Sequence, residues 1–246
     1  MKKGIKKFFL VALPLSMMAM NITSVFADDE FPVDDLENYL EVQSGGEAKR
    51  NENKEIISTF DENNIIQTRG WGESCYPTVP TYKQENGYYC GQASLQMTLK
   101  HITGTKYSQS SLASSAGTAS SIGTYVYKMR DVLNSKQSKY KYAYTTVSSQ
   151  SDLQKKVTAS IAKEAPVIFH AKTGSLQMYN GTNLGHYVVG HTIFDPTYDP
   201  GVKVSYNDPY YKDYGKGSVY GNHTDKLSNF YLALTKWGKR YLIYSA

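Results

Sequence analysis

A glutamine stands six residues ahead of a cysteine in the run Q-E-N-G-Y-Y-C, Gln84 to Cys90, and the residues that follow have the spacing of a helix. Leu95, Leu99 and Ile102 recur at four- and three-residue steps, Ala93 and Met97 flank them, and Gly104 is a natural stop. The pattern predicts a helix of about four turns that opens at Cys90. A thiol in the first turn faces unpaired backbone N–H groups and the positive end of the helix dipole, and both favour the nucleophilic thiolate. Gly91 is expected to leave room for a substrate carbonyl. Gln84, on the loop feeding the helix, is placed to donate its side-chain N–H to an oxyanion, together with the Cys90 backbone N–H. A lone cysteine on a core-facing helix also reads as a small buried apolar residue. The chemistry therefore requires a base.

Five histidines are available: His101, His170, His186, His191 and His223. The segment G-H-Y-V-V-G-H-T-I-F, Gly185 to Phe194, is β-branched and aromatic enough for a buried strand, and V-K-V-S-Y-N-D-P-Y after Gly201 reads as a second. Between them D-P-T-Y-D-P-G is a turn. Pairing the two as an antiparallel hairpin, with Phe194 near Val202, sets His186 across from residues 207–210 and makes Asp208 its neighbour. Asp195 is nine residues from His186, roughly 30 Å along a strand, and cannot orient that imidazole. His191 lies an odd number of residues from His186 and is expected on the opposite face, and His170, on another strand, is expected in the core. A cysteine, a strand histidine, a carboxylate across the hairpin and an amide donor ahead of the cysteine form a set suited to thiol catalysis: Cys90, His186, Asp208 and Gln84.

The elements that must position these residues follow from periodicity and turn signals. Helices are predicted at Ser108 to Ala116, Ser121 to Leu133 and Asp152 to Lys163. Strands are predicted at Tyr140 to Val147, Pro166 to Ala171, His186 to Phe194, Val202 to Tyr206 and Tyr241 to Tyr244. Helices early and an antiparallel sheet late give an α+β domain, with the nucleophile helix packed on the sheet that carries the base. The stretch from Tyr76 onward is long enough for one domain with a sizeable core.

The run V-P-T-Y-K-Q-E-N-G-Y-Y-C-G-Q-A-S-L-Q-M-T-L-K-H-I-T-G, followed by G-H-Y-V-V-G and N-D-P-Y, resembles the papain-like peptidases of cysteine peptidase family 39, in particular their stand-alone secreted branch. The resemblance covers Val79 to the end of the chain. It implies a papain-like α+β fold, Cys90 as nucleophile, His186 as general base, Asp208 as the group orienting His186, and Gln84 as oxyanion donor. The better-known members are double-glycine leader peptidases fused to bacteriocin exporters. This sequence departs from them in having Tyr89 where an acidic residue often precedes the cysteine, and in lacking membrane and nucleotide-binding segments.

The first residues read as an export signal. Lys2, Lys3, Lys6 and Lys7 precede an apolar stretch from Phe8 to Met20, and Val25, Phe26 and Ala27 fit a cleavage site after Ala27. The apolar stretch is too short for a comfortable membrane span, so a secreted, extracellular or cell-wall-associated protein is expected, with no integral membrane segment after cleavage. Residues 28–67 carry twelve acids against three bases, a net charge of −9, whereas residues 68–246 carry ten acids and twenty bases, a net of +10. Opposite charges on one chain suggest an acidic pro-segment that covers a basic catalytic domain; a solvated tether is the other reading. The expected organisation is a signal peptide at 1–27, an acidic pro-segment or linker at 28–75 and a peptidase domain at 76–246. Cys75, the second cysteine, is expected to be free, because pairing with Cys90 would mask the nucleophile; a Cys75–Cys90 disulfide acting as a redox switch is the other reading.

No metal-ligand spacing such as H-E-x-x-H or paired C-x-x-C is visible, nor a phosphate-binding loop or nucleic-acid motif. Neither cofactor nor metal is expected, and the partner is a peptide or protein substrate. The function expected is that of a secreted cysteine peptidase acting through a thioester. A cell-wall peptide amidase of the same fold and a catalytically silent peptide-binding module are the alternatives.

Overall fold

The computed structural model describes residues 79–195 and 201–246. The export signal, the acidic segment with Cys75, the first residues of the expected domain and the hairpin tip at Thr197, Tyr198 and Asp199 lie outside them.

The helix opening at Cys90 runs to Thr103 (α1), and Gly104 ends it in the left-handed region, at φ 74°, its N–H bonded to Lys100 C=O. Helix α2 spans Gln109–Ala116, and the Ser108 hydroxyl caps it by accepting Ser111 N–H. Helix α3 begins later than periodicity suggests, at Val126–Lys136 rather than Ser121. Residues 119–123 close instead into a tight loop, in which Ala119 and Gly123 bridge and Gly123 takes φ 66°. Strand β1 is Tyr142–Thr145. Helix α4, Gln150–Ala162, starts two residues before the expected Asp152, because the Ser149 hydroxyl is the cap and accepts Asp152 N–H. Strand β2 (Val167–Lys172) is followed by two short 3-10 turns, Thr173–Ser175 and Gln177–Tyr179, and by β3 (Gly185–Phe194) and β4 (Lys203–Asp208). Two elements were not visible in the sequence: strand β5 (Gly221–Lys226) and helix α5 (Leu227–Thr235). Strand β6, Tyr241–Ser245, ends the fold.

The six strands form one sheet in the order β1-β6-β2-β3-β4-β5, every pair antiparallel. Alternation along the strands gives the sheet two apolar faces. One face carries Ile168, Val189 and Ile243 and is covered by Leu95 and Leu99 of α1, Leu112 of α2 and Met129 of α3. The other carries Phe169, Val188 and Leu242 and is covered by Val157 and Ile161 of α4 and Phe230 of α5. The result is an α+β domain in which α1 lies on the sheet that carries His186.

Strand β3 changes its alternation at a bulge between Gly190 and Thr192. Before it Val188 faces α4 and α5; after it Ile193 joins the same face despite its odd spacing. Gly190 makes the close approach possible. A Cβ there would stand 2.5 Å from Phe169 Cε2 and 2.9 Å from Val167 Cγ2, and the Phe169 ring is itself held against Phe230 at a centroid distance of 4.3 Å. We expect Gly190→Ala to destabilise the fold by about 2 kcal/mol, the usual scale of overpacking. A urea midpoint equal to that of the wild type would refute this account of the site, whereas partial recovery in Gly190→Ala with Phe169→Leu would support it.

Candidate active site

Cys90 is the first residue of α1 and is buried. The first intrahelical bond joins Ala93 N–H to Tyr89 C=O, and no side chain caps the helix start, so the N–H groups of the first turn have no acceptor within the helix. Gly91 serves packing and not substrate approach: a Cβ on it would lie 3.1 Å from Met129 Sδ and 3.3 Å from Thr124 Oγ1. The adjoining Gln92 is fully buried and donates to Thr118 Oγ1 and Thr124 Oγ1, which pins the loop before α3 to the head of α1.

In the β3–β4 hairpin Phe194 lies opposite Lys203, one residue beyond the expected Val202, and the bulge between Gly190 and Thr192 restores the expected register, with Val189 opposite Asn207. His186 and Asp208 share one face of the sheet, and His186 Nε2 lies 2.8 Å from Asp208 Oδ1. The Cys90 thiol is within hydrogen-bonding reach of the same ring. With Nε2 engaged, Nδ1 is the nitrogen left for the thiol. Asp208 is 0% exposed, and its carboxylate accepts two further bonds, from Tyr210 N–H at 2.8 Å and from the Tyr179 hydroxyl at 2.8 Å. Burial alone would lower the His186 pKa. The charge and hydrogen bond of Asp208 outweigh it, with a smaller contribution from Cys90, and push it up to about 10. The ring is therefore an imidazolium across the neutral range. Tyr179 is held well above the usual phenol range, first by burial and then by the Asp208 charge, so its hydroxyl stays a donor.

Gln84 is 4% exposed and lies on the loop before α1. Its backbone N–H donates to Pro209 C=O at 3.0 Å, which ties the loop to the residue after Asp208. Its side-chain Nε2 donates one bond, to Asn86 C=O at 2.7 Å, leaving its second N–H for another acceptor. Asn86 also accepts Tyr88 N–H on its own side chain, so the Asn-Gly turn shapes the approach to Cys90.

The other polar candidates lie elsewhere. Asp195 accepts Gly201 N–H at the opposite end of β3 from His186. His191 bonds Asn222, which also bonds Asn207, a neighbour of Asp208 that points to the other face. Burial, with a contribution from His101, lowers the His191 pKa to about 4. His170 is buried and stacks on Tyr187 at 4.5 Å, and burial with the nearby Arg240 keeps it far below its usual pKa. His101 bonds Glu164 C=O, and His223 bonds Val219 C=O.

Sequence reasoning missed Tyr179 and the acid that holds its turn, Asp225. Asp225 Oδ2 accepts Gln177 N–H at 2.7 Å and so fixes the 3-10 turn that presents Tyr179. The Asn-Gly pair after Tyr179, with Asn180 at φ 48° and Gly181 at φ 84°, signals a turn, but no local spacing says where the ring points.

The Peptidase_C39 like family matches residues 76–239. No curated protein gives a significant match. Among solved structures the chain is similar to the peptidase domain of Streptococcus ComA, a bi-functional ABC transporter involved in a quorum sensing pathway. That similarity is 17% identity over 67% of this chain and 97% of that one, with a TM-score of 0.43. It is also similar to the proform of the ragweed pollen cysteine protease Amb a 11, at 13% identity over 73% of this chain and 66% of that one, with a TM-score of 0.47. Bromelain from Ananas comosus gives 12% identity over 68% and 94%, with a TM-score of 0.43. The family match extends over well more than half of the sequence, so the chain belongs to the Peptidase_C39 like family of cysteine peptidases, and its fold is α+β.

Proposed function

We propose that this protein is an exported peptidase that hydrolyses peptide bonds through a Cys90 thioester, with His186 as acid and base, Asp208 as its orienting anion and Gln84 as an oxyanion donor. The observation that carries this reading is the buried chain from Cys90 through the His186 ring to Asp208, whose carboxylate has no solvent to stabilise it and three protein donors that do. Transfer of the Cys90 proton to the His186 ring, which Asp208 orients, gives the attacking thiolate. The thiolate attacks the amide carbonyl, the C–S bond forms, and the carbonyl electron pair moves to oxygen. The free Gln84 Nε2–H and the Cys90 N–H are the donors for that oxyanion. The oxyanion collapses, the C–N bond breaks, and Nδ1–H of His186 protonates the leaving amine. Neutral His186 then takes a proton from water as it attacks the thioester, and the acid product leaves with the thiolate restored.

The export signal and the charge split support a further part of the reading, in which residues 28–75 are an acidic pro-segment of the secreted chain. Val79, the first described residue, is bonded through its C=O to Asn207, one residue from Asp208.

Three outcomes test the proposal. Cys90→Ala and His186→Ala should abolish peptide hydrolysis while leaving the circular dichroism spectrum intact, and Gln84→Ala should lower turnover by about a hundred- to a thousandfold. Full activity in purified Cys90→Ala would end this reading. Asp208→Asn removes the anion that raises His186, so the ring should lose its proton at a lower pH. The alkaline limb of activity should then shift downward from about 10, whereas Asp195→Ala should leave the profile in place. A chain starting near Trp71 should be more active than one starting at Asp28. Residues 28–70 added in trans should inhibit it, less so as salt rises from about 50 to about 500 mM. Equal activity of the two chains at low salt would reduce the segment to a spacer.

A further inference from the structure

The loop bearing Gln84 is held from two sides. On one edge Gln84 N–H donates to Pro209 C=O at 3.0 Å. On the other, Gln109, the first residue of α2 and 1% exposed, reaches across with both ends of its side-chain amide. Its Oε1 accepts Glu85 N–H at 3.0 Å, and its Nε2 donates to Lys83 C=O at 2.8 Å. The C=O of the residue before Gln84 and the N–H of the residue after it are the two groups that a neighbouring β-strand would bind on that edge of the chain. A single buried amide replaces the strand. Its second Nε2–H bonds Gln96 Oε1 at 3.2 Å, and Gln96 in turn donates to Tyr107 C=O, so the amide is oriented from α1 as well.

We propose that Gln109 is a positioning residue for the oxyanion donor: it fixes the backbone on both sides of Gln84 and thereby the direction of the Gln84 side chain, without touching substrate. This inference rests on the oxyanion role proposed for Gln84. Its consequence is specific to reactions that pass through an oxyanion. Alkylation of Cys90 by iodoacetamide forms a C–S bond and expels iodide in one displacement, so no carbonyl oxygen gains charge. Acylation by p-nitrophenyl acetate does pass through an oxyanion: the thiolate adds to the carbonyl, and collapse breaks the C–O bond and releases p-nitrophenolate.

The test compares these two probes on the wild type, Gln84→Ala, Gln109→Met and the double variant. Gln109→Met keeps the side-chain volume and loses all three hydrogen bonds. The expected result is an alkylation rate within twofold of wild type in every variant. Acylation should fall by about a hundredfold in Gln109→Met, the scale of a misplaced catalytic group, with no further fall when Gln109→Met is added to Gln84→Ala. Gln109→Glu, which keeps an acceptor for Glu85 N–H, replaces Gln109→Met if that variant does not fold and should lose less acylation. Normal acylation in Gln109→Met alongside a loss in Gln84→Ala overturns the clamp alone, as do losses that multiply in the double variant, or alkylation that falls in parallel. Undiminished acylation in Gln84→Ala, or a Cys90 that iodoacetamide does not label, overturns the oxyanion or nucleophile reading and the clamp with it.

Discussion

A carboxylate without solvent sets the terms for the rest of this site. Asp208 is fully buried, and an anion there is tolerated only where donors surround it. Three do: the His186 ring, the Tyr210 N–H and the Tyr179 hydroxyl. Each imposes a structural requirement. His186 must lie across the hairpin, which fixes the β3–β4 register; Tyr210 must turn back immediately after Pro209; and Tyr179 must be delivered by a 3-10 turn in the connection between β2 and β3. A shift of one residue in the hairpin would send His186 to the opposite face and leave the anion with the wrong neighbours.

The electrostatics and the packing therefore point the same way. Burial disfavours an imidazolium, and the carboxylate at 2.8 Å more than reverses that preference. The ring stays charged only while the carboxylate stays dry and correctly aimed. Tyr179 contributes to the dry wall as well as to the hydrogen bond, since its ring packs against Tyr210 and Tyr214, with centroids 6.3 Å and 5.5 Å away. A site built in this way is sensitive to residues that never approach a substrate, among them Asp225, which holds the turn beneath Tyr179.

What the sequence disclosed was what local periodicity and turn chemistry control. The helix from Cys90 to Gly104, the long hairpin and the proximity of Asp208 to His186 follow from patterns within about 25 residues of each other, and the exclusion of Asp195 needed only strand geometry. What it hid depended on tertiary context. Strand β5 reads G-N-H-T-D-K, a polar edge strand with no apolar alternation, so nothing in its composition separates it from a loop. Helix α5 is short and aromatic, and its residues would fit a strand equally well. Gly91 looked like space for a substrate because its neighbours Thr124 and Met129 are more than 30 residues away in the chain. Gln109 sits at the head of a serine-rich helix where a glutamine is unremarkable, and only the fold shows both ends of its amide engaged.

The bonds that assemble the site join distant parts of the chain. Val79 C=O accepts from Asn207, Thr81 C=O from the Tyr220 hydroxyl, and Pro209 C=O from Gln84 N–H, so the strip leading to Cys90 is fastened to residues more than 120 positions later. The helix from Cys90 can form early from local contacts, but the loop bearing Gln84 cannot take its place until β4 and the turn after it exist. Loop closure over that length costs conformational entropy that only the completed sheet offsets. The loop's order is thus conditional on the same segment that carries Asp208. A chain in which Asp208 is misplaced also loses the Pro209 carbonyl that positions Gln84, so the Asp208 carboxylate and the Gln84 loop are placed or lost together.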